Sequence, residues 1–219
     1  MKAYQFSFAE VWKALPYLTE GAALTIGISI LAMLCGLALG LGLALISQLR
    51  FRPARWGVVA YVEAFRNTPL LIQIFLIYFG LPTLVVKLPA FASGLVALSL
   101  YSAAYNTEVF RSGLEAVPAG QREAARSTGL SVGQEAWYVV IPQALRIAFP
   151  ALGNNLVSLV KNSSLVSVIG MVELMFVAND ISFNNFRSFE VYGAAAVYYV
   201  LLNLGLTRAL VRVERWIRV

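Results

Sequence analysis

The sequence predicts an all-α integral membrane protein of five transmembrane helices, with a further short helix held outside the bilayer. Three observations carry that expectation. Of the 219 residues, 59% are hydrophobic and 13% charged, with a mean hydropathy of +0.74; a soluble domain averages roughly 45–50% apolar and about 25% charged residues. The apolar residues gather in runs long enough to cross a hydrocarbon core. Against this background stands one polar, helix-prone interruption, Glu123-Ala124-Ala125-Arg126-Ser127-Thr128-Gly129.

Composition also excludes several kinds of chemistry. The single cysteine, Cys35, lies within an apolar run, so there is neither a disulfide framework nor a metal-ligand spacing. Histidine is absent, which removes the commonest general base and the commonest metal ligand together. The net charge of +6 does not imply nucleic acid. Its cations are scattered between apolar runs, whereas a nucleic-acid surface gathers them on one soluble face.

A helix needs about 20 apolar residues to span the bilayer. Taken as a single domain over residues 1–219, the chain offers five such runs. The first, 21–46, is rich in Leu, Ala and Gly and too long for the core of a signal peptide. The second covers 70–86, with Trp56 to Phe65 ahead of it along the interface. The third covers 89–110. The fourth, 147–177, is interrupted at Lys161-Asn162-Ser163-Ser164, and the fifth covers 191–211. In the first run Gly36 and Gly40 form a small-xxx-small pair, suited to close helix approach within the monomer or across a dimer.

An odd number of spans places the ends on opposite sides, and the Lys and Arg bias decides which is which. Eleven of the 17 basic residues fall on one side: Arg50, Arg52 and Arg55; Arg111, Arg122, Arg126 and Arg146; Arg208, Arg212, Arg215 and Arg218. Lys2, Lys13, Lys87 and Arg187 fall on the other. The N-terminus is therefore expected outside, with the Glu123 loop and the C-terminus cytoplasmic.

Within that loop, residues 117–137, Pro118 is placed to open a helix and Gly129 to close it. Arg122, Glu123 and Arg126 are expected to be exposed, with Ala124 and Ala125 forming a smooth patch on which a partner's groove can seat. Ser131 and Gln134 have the spacing of a capping box for the next helix. On physics alone this is a solvated loop or a docking rod.

Glu123-Ala124-Ala125, then Gly129, Val139, Ile141 and Pro142, resembles the coupling-loop signature of ABC-transporter permease subunits, with Val139 and Ile141 where Ile and Leu are usual. Glu63 to Leu71, Tyr78 to Pro82 and Lys161 to Ser167 are similar to the polar amino acid uptake branch. The likeness runs from about Phe8 to the C-terminus. It implies a type I importer permease of the bacterial inner membrane, forming half of a pathway with a second permease, of the same or a related chain. Two cytoplasmic ABC ATPases would grip the coupling helices through Arg122, Glu123, Ala124, Ala125, Arg126 and Gly129. An extracytoplasmic binding protein would deliver a polar amino acid. The chain has no G-x-x-x-x-G-K-[ST] phosphate loop, so ATP and Mg belong to the partner ATPase, and this subunit is not expected to be an enzyme.

Polar side chains at membrane depth are the candidate substrate ligands, since each costs roughly 2.5–3.5 kcal/mol at the bilayer centre. Lys161 follows Arg146 by a helical rise of about 22 Å. With Asn162, Ser163 and Ser164 it suits an amino acid's α-carboxylate; otherwise it snorkels or pairs with Glu173 or Glu108. Asn106, Glu108 and Gln73 can line the same path. Glu108 can equally pair with Arg111, Gln73 can serve helix packing, and Glu63 with Arg66 reads as a structural pair. Pro69 predicts a bend before the second span. Asn154 and Asn155 suit a subunit contact or a kink. An ion-coupled carrier or channel without an ATPase is the rival reading, against which stands the lack of an inverted repeat of broken spans. An intramembrane enzyme has no supporting constellation.

Overall fold

The computed structural model describes residues 4–49, 51–84 and 86–217, and every regular element among them is helical. The unbroken Leu, Ala and Gly run forms α1, Ala9–Ser47, which begins well ahead of the expected Gly21 and takes in Pro16. Its 39 residues extend about 58 Å. That exceeds a hydrocarbon core of about 30 Å, so α1 must project beyond it.

α2, Arg52–Arg66, has Pro53 in its first turn, where the missing N–H costs nothing. The chain then bends by 107° into α3, Leu70–Phe75, and α4, Leu81–Leu84. The bend falls at Asn67-Thr68-Pro69, as the proline predicts. Gln73 braces it: Nε2 donates to the carbonyls of Phe65 at 2.8 Å and Thr68 at 3.1 Å.

Two wide π turns, Leu76–Gly80 and Glu135–Val140, each precede a helix whose second residue is proline: α4 with Pro82 and α8, Ile141–Asn162, with Pro142. A proline ring displaces the carbonyl four residues earlier, and one extra residue in the turn accommodates it.

α5, Ala90–Glu115, is the centre of the bundle, with α1, α2, α3 and α8 packed on it. Gly36 and Gly40 allow the α1 contact. A Cβ on Gly36 would lie 2.5 Å from Ser102 Oγ, and one on Gly40 3.0 Å from the Ala103 carbonyl. The small-residue pair is thus filled within the chain. Asn155 Nδ2 on α8 donates to Asn106 Oδ1 on α5 at 3.0 Å, an interhelical bond that contributes about 0.6–2 kcal/mol in lipid. Ile28, Leu70, Ile74, Leu98, Leu159 and Val166 fill the core around it.

The rod α6, Ala119–Ser127, and the single turn α7, Val132–Gln134, link α5 to α8. The interruption expected at Lys161–Ser164 is not an unwound break. α8 tightens there into a 3₁₀ segment, Ser163–Ile169, because Ser163, Ser164 and Ser167 each donate to the carbonyl three residues back at 2.7–2.8 Å. The chain turns later, at Gly170, whose φ of 79° suits glycine. α9, Leu174–Asn185, follows at 49°, and α10, Ser188–Ile217, closes the chain.

By length and composition α1 and α10 each suffice to cross a membrane, and the two bent helix pairs suffice jointly. Only 6% of the α10 apolar window is buried within the chain, so its sheath lies outside it.

Candidate functional site: the coupling rod and the polar residues of the bundle

The rod α6 is defined by its ends. Pro118 is extended (φ −58°, ψ 138°) and stands just before the helix. At the other end Gly129 adopts φ 83°. Leu130 N–H then donates to the Ala125 carbonyl at 3.3 Å and Gly129 N–H to that of Arg126 at 3.0 Å, a Schellman closure. Ser131 and Gln134 form the expected capping box, with bonds of 2.9 and 3.4 Å.

Two expectations for the rod are corrected. Arg122 is half-buried and turned inward, its Nη2 donating to the Leu114 carbonyl at the end of α5 at 2.9 Å. Ala125 is buried, so the smooth patch is not one surface: Ala124 faces outward and Ala125 toward the bundle. Arg126 keeps 62% of its side chain exposed but is tied to Glu135, which is 3% exposed, at 2.6 Å. The Glu135 carboxylate pushes the guanidinium pKa upward. Beneath the rod Leu114, Val117, Val140 and Ala144 form a small apolar core. Gln121, Glu123, Ala124, Arg126, Ser127 and Thr128 are exposed on the rod's outer side.

Among the candidate substrate ligands, Lys161 is exposed at the end of α8, and no carboxylate of the described residues lies within 4 Å of it. Asn162 Nδ2 donates to Tyr101 Oη at 3.3 Å, bringing this segment against α5. Ser163 is buried, and Ser163 and Ser164 spend their hydroxyl protons on backbone carbonyls. Asn106 is fully buried, held by Asn155 and by Ser102 Oγ at 3.1 Å. Glu108 is bound by Arg111 at 2.8 Å and approached by Arg66 at 3.8 Å. The expected Glu63–Arg66 pair is therefore replaced: Arg66 turns to Glu108, and Glu63 accepts from Asn67 at 2.6 Å. Gln73 sits at the α2–α3 corner. The structure thus joins Asn162 to α5 and Asn106 to α8, while Glu108 and Gln73 have partners of their own.

Three buried carboxylates, Glu135, Glu173 and Glu190, act as structural anchors that no local sequence rule identifies. Glu173 caps α9 by accepting from Phe176 N–H at 2.8 Å, and also accepts from Thr25 Oγ1 and Tyr199 Oη at 3.1 and 2.9 Å. Glu190 binds Tyr4 Oη and Ser7 N–H, strapping the N-terminal segment to α10. An acid inside an apolar run was the available signal; its partners were too distant in sequence to name. A cavity of about 540 Å³ between α1 and α9, lined by Tyr17, Glu20, Leu24, Phe176 and Asp180 among others, contains none of the residues picked from sequence. Among the described residues no three His, Cys, Asp or Glu side chains converge as a metal site.

Comparison with known proteins accords with this arrangement. The chain is 38% identical over 188 residues to the probable glutamine ABC transporter permease protein GlnM of Bacillus subtilis, covering 86% of this chain and 87% of that one. It is 35% identical over 217 residues to the glutamine transport system permease protein GlnP of Escherichia coli K12, covering 98% and 99%. A crystal structure of an amino acid ABC transporter with histidines superposes with a TM-score of 0.91 at 37% identity, over 97% of this chain and 99% of that one. Residues 36–219 match the family described as binding-protein-dependent transport system inner membrane component. The chain therefore belongs to that family, the membrane permease subunits of ABC importers.

Proposed function

We propose that this chain forms half of the translocation pathway of an ATP-driven importer of polar amino acids, in the bacterial inner membrane. A second permease, of the same or a related chain, completes the pathway. Two cytoplasmic ATPases, which use ATP and Mg, seat the rods, and an extracytoplasmic binding protein supplies the substrate. The N-terminus lies outside and the C-terminus in the cytoplasm, with five crossings between.

The observation that carries this reading is the anchoring of α6. Arg122 ties it to the end of α5 and Arg126 to the π turn that leads into α8. A push on its outer face is thereby delivered to two long helices at once. Closure of the ATPases then favours one packing of the bundle and their release the other, a two-state equilibrium biased by differential contacts.

For the substrate, Lys161 supplies the cation for an α-carboxylate, with Asn162 beside it. Its lack of an internal carboxylate partner supports this role, because an isolated cation at membrane depth is functional by default. Glutamine, named for the two relatives above, is the leading candidate.

Orientation is the decisive test. In a Cys35→Ala background, Ser127→Cys should react with an impermeant thiol reagent in inverted vesicles and resist it in intact cells. Labelling from the outside would remove the rod from any ATPase and end this reading.

A further inference from the structure

α2 presents an unusual outer face. Val58 and Val62 are buried, whereas Phe51, Arg52, Arg55, Trp56 and Val59 are exposed, Trp56 by 76%. Arg52, Arg55, Trp56 and Val59 line an open cleft of about 320 Å³. Neither guanidinium has a carboxylate of the described residues within 4 Å. Of the nearby acids, Glu108 and Glu115 are each bound to Arg111 at 2.8 Å, and Glu63 accepts from Asn67.

The position of the helix adds a second constraint. On its other side Arg55, Val58 and Val62 share a cleft with Ser47 and Gln48, at the end of α1, and with Glu115 at the end of α5. α2 therefore lies at the level where both long helices finish. Its 107° turn from α3 and α4, of which α3 packs beside α5, sets it close to the plane of the bilayer. A helix lying in that plane with cations and Trp on its free face matches a headgroup layer.

We propose that this ledge holds the headgroup of an anionic phospholipid. Arg52 and Arg55 donate to its phosphate oxygens, and Trp56, Val59 and Phe51 pack against its glycerol and upper acyl carbons. Guanidinium forks match phosphate geometry. A zwitterionic headgroup brings an ammonium that two unpaired guanidinia repel, so the site discriminates by charge. The proposal rests on the orientation above only for which leaflet supplies the lipid.

The test is native mass spectrometry of the full-length chain released from vesicles of mixed phosphatidylglycerol and phosphatidylcholine. The wild-type chain should retain phosphatidylglycerol in preference. Arg52→Gln with Arg55→Gln should lower that preference by about fivefold for each charge removed. Arg52→Lys with Arg55→Lys should keep most of it, which excludes a folding defect. Arg208→Gln with Arg212→Gln, an equal charge loss on exposed α10 positions, should leave it unchanged. No preference in the wild type, or an equal fall in the α10 variant, overturns the site. Retention does not depend on orientation, so either result leaves the labelling test of the rod standing.

Discussion

Arg126 on the rod and Glu135, the first residue of the following π turn, meet at 2.6 Å, the one largely exposed and the other buried. This pair makes the rod and the following π turn one body. Both arginines of the rod thus have bonding partners within the chain, Arg122 at the Leu114 carbonyl and Arg126 at Glu135. The first prediction follows from the burial of Glu135. Arg126→Ala strands a buried carboxylate. Substrate uptake should fall by roughly tenfold, about a 1.4 kcal/mol change in coupling by definition of the scale, while ATP hydrolysis by the assembled complex persists. Exchanging the charges, Arg126→Glu with Glu135→Arg, should restore part of the uptake. Equal loss of uptake and hydrolysis in the single variant would place Arg126 elsewhere in the mechanism.

Gly129 isolates the backbone from packing. A Cβ there would meet nothing within 4 Å, yet φ is 83°. The cost of a side chain is therefore conformational, about 1–2 kcal/mol. Gly129→Val should abolish uptake while membrane insertion stays normal, and Gly129→Asn, which tolerates this conformation, should retain most of it. Uptake and protease protection measured on the same vesicles separate the two effects.

Lys161→Met removes the free cation at the end of α8. Loss of a charge-assisted bond to a carboxylate should raise the apparent KM for uptake about ten- to a hundredfold and weaken substrate-stimulated ATP hydrolysis. Unchanged uptake and stimulation would assign Lys161 to the lipid interface.

Gly40→Leu tests the α1–α5 seam. Its Cβ alone would stand 2.9 Å from Asn106 Cβ, so the helices must part. Overpacking of this kind costs about 1–3 kcal/mol, and thermal unfolding in detergent should begin roughly 2–10 °C lower. Gly42→Leu, where nothing lies within 4 Å, is the matched control and should change little. Equal shifts in both would mean that the seam is not set by Gly40.

Much of the fold was legible because its signals are local. The ends of the rod, the capping box of Ser131 and Gln134, and the bend at Pro69 all depend on residues within a few positions. The fourth span leaves α-helical geometry at Asn162, within the polar segment Lys161–Ser164. Polar Ser163 and Ser164 read as a break, but their hydroxyls tighten the helix, and the turn waits for Gly170.

The sequence by itself determined that this chain lives in a membrane and where the outlying rod starts and stops. Each follows from apolar content and from hydrogen bonds to near neighbours. Only the tertiary structure decided that Arg122 points inward, that Arg126 is tied to Glu135, that Arg66 prefers Glu108 to Glu63, that Asn155 holds Asn106, and that Lys161 is left without a carboxylate. The physical reason is that a side chain's partner is chosen by which helices pack together. Asn106 and Asn155 are 49 residues apart, and no local rule links them.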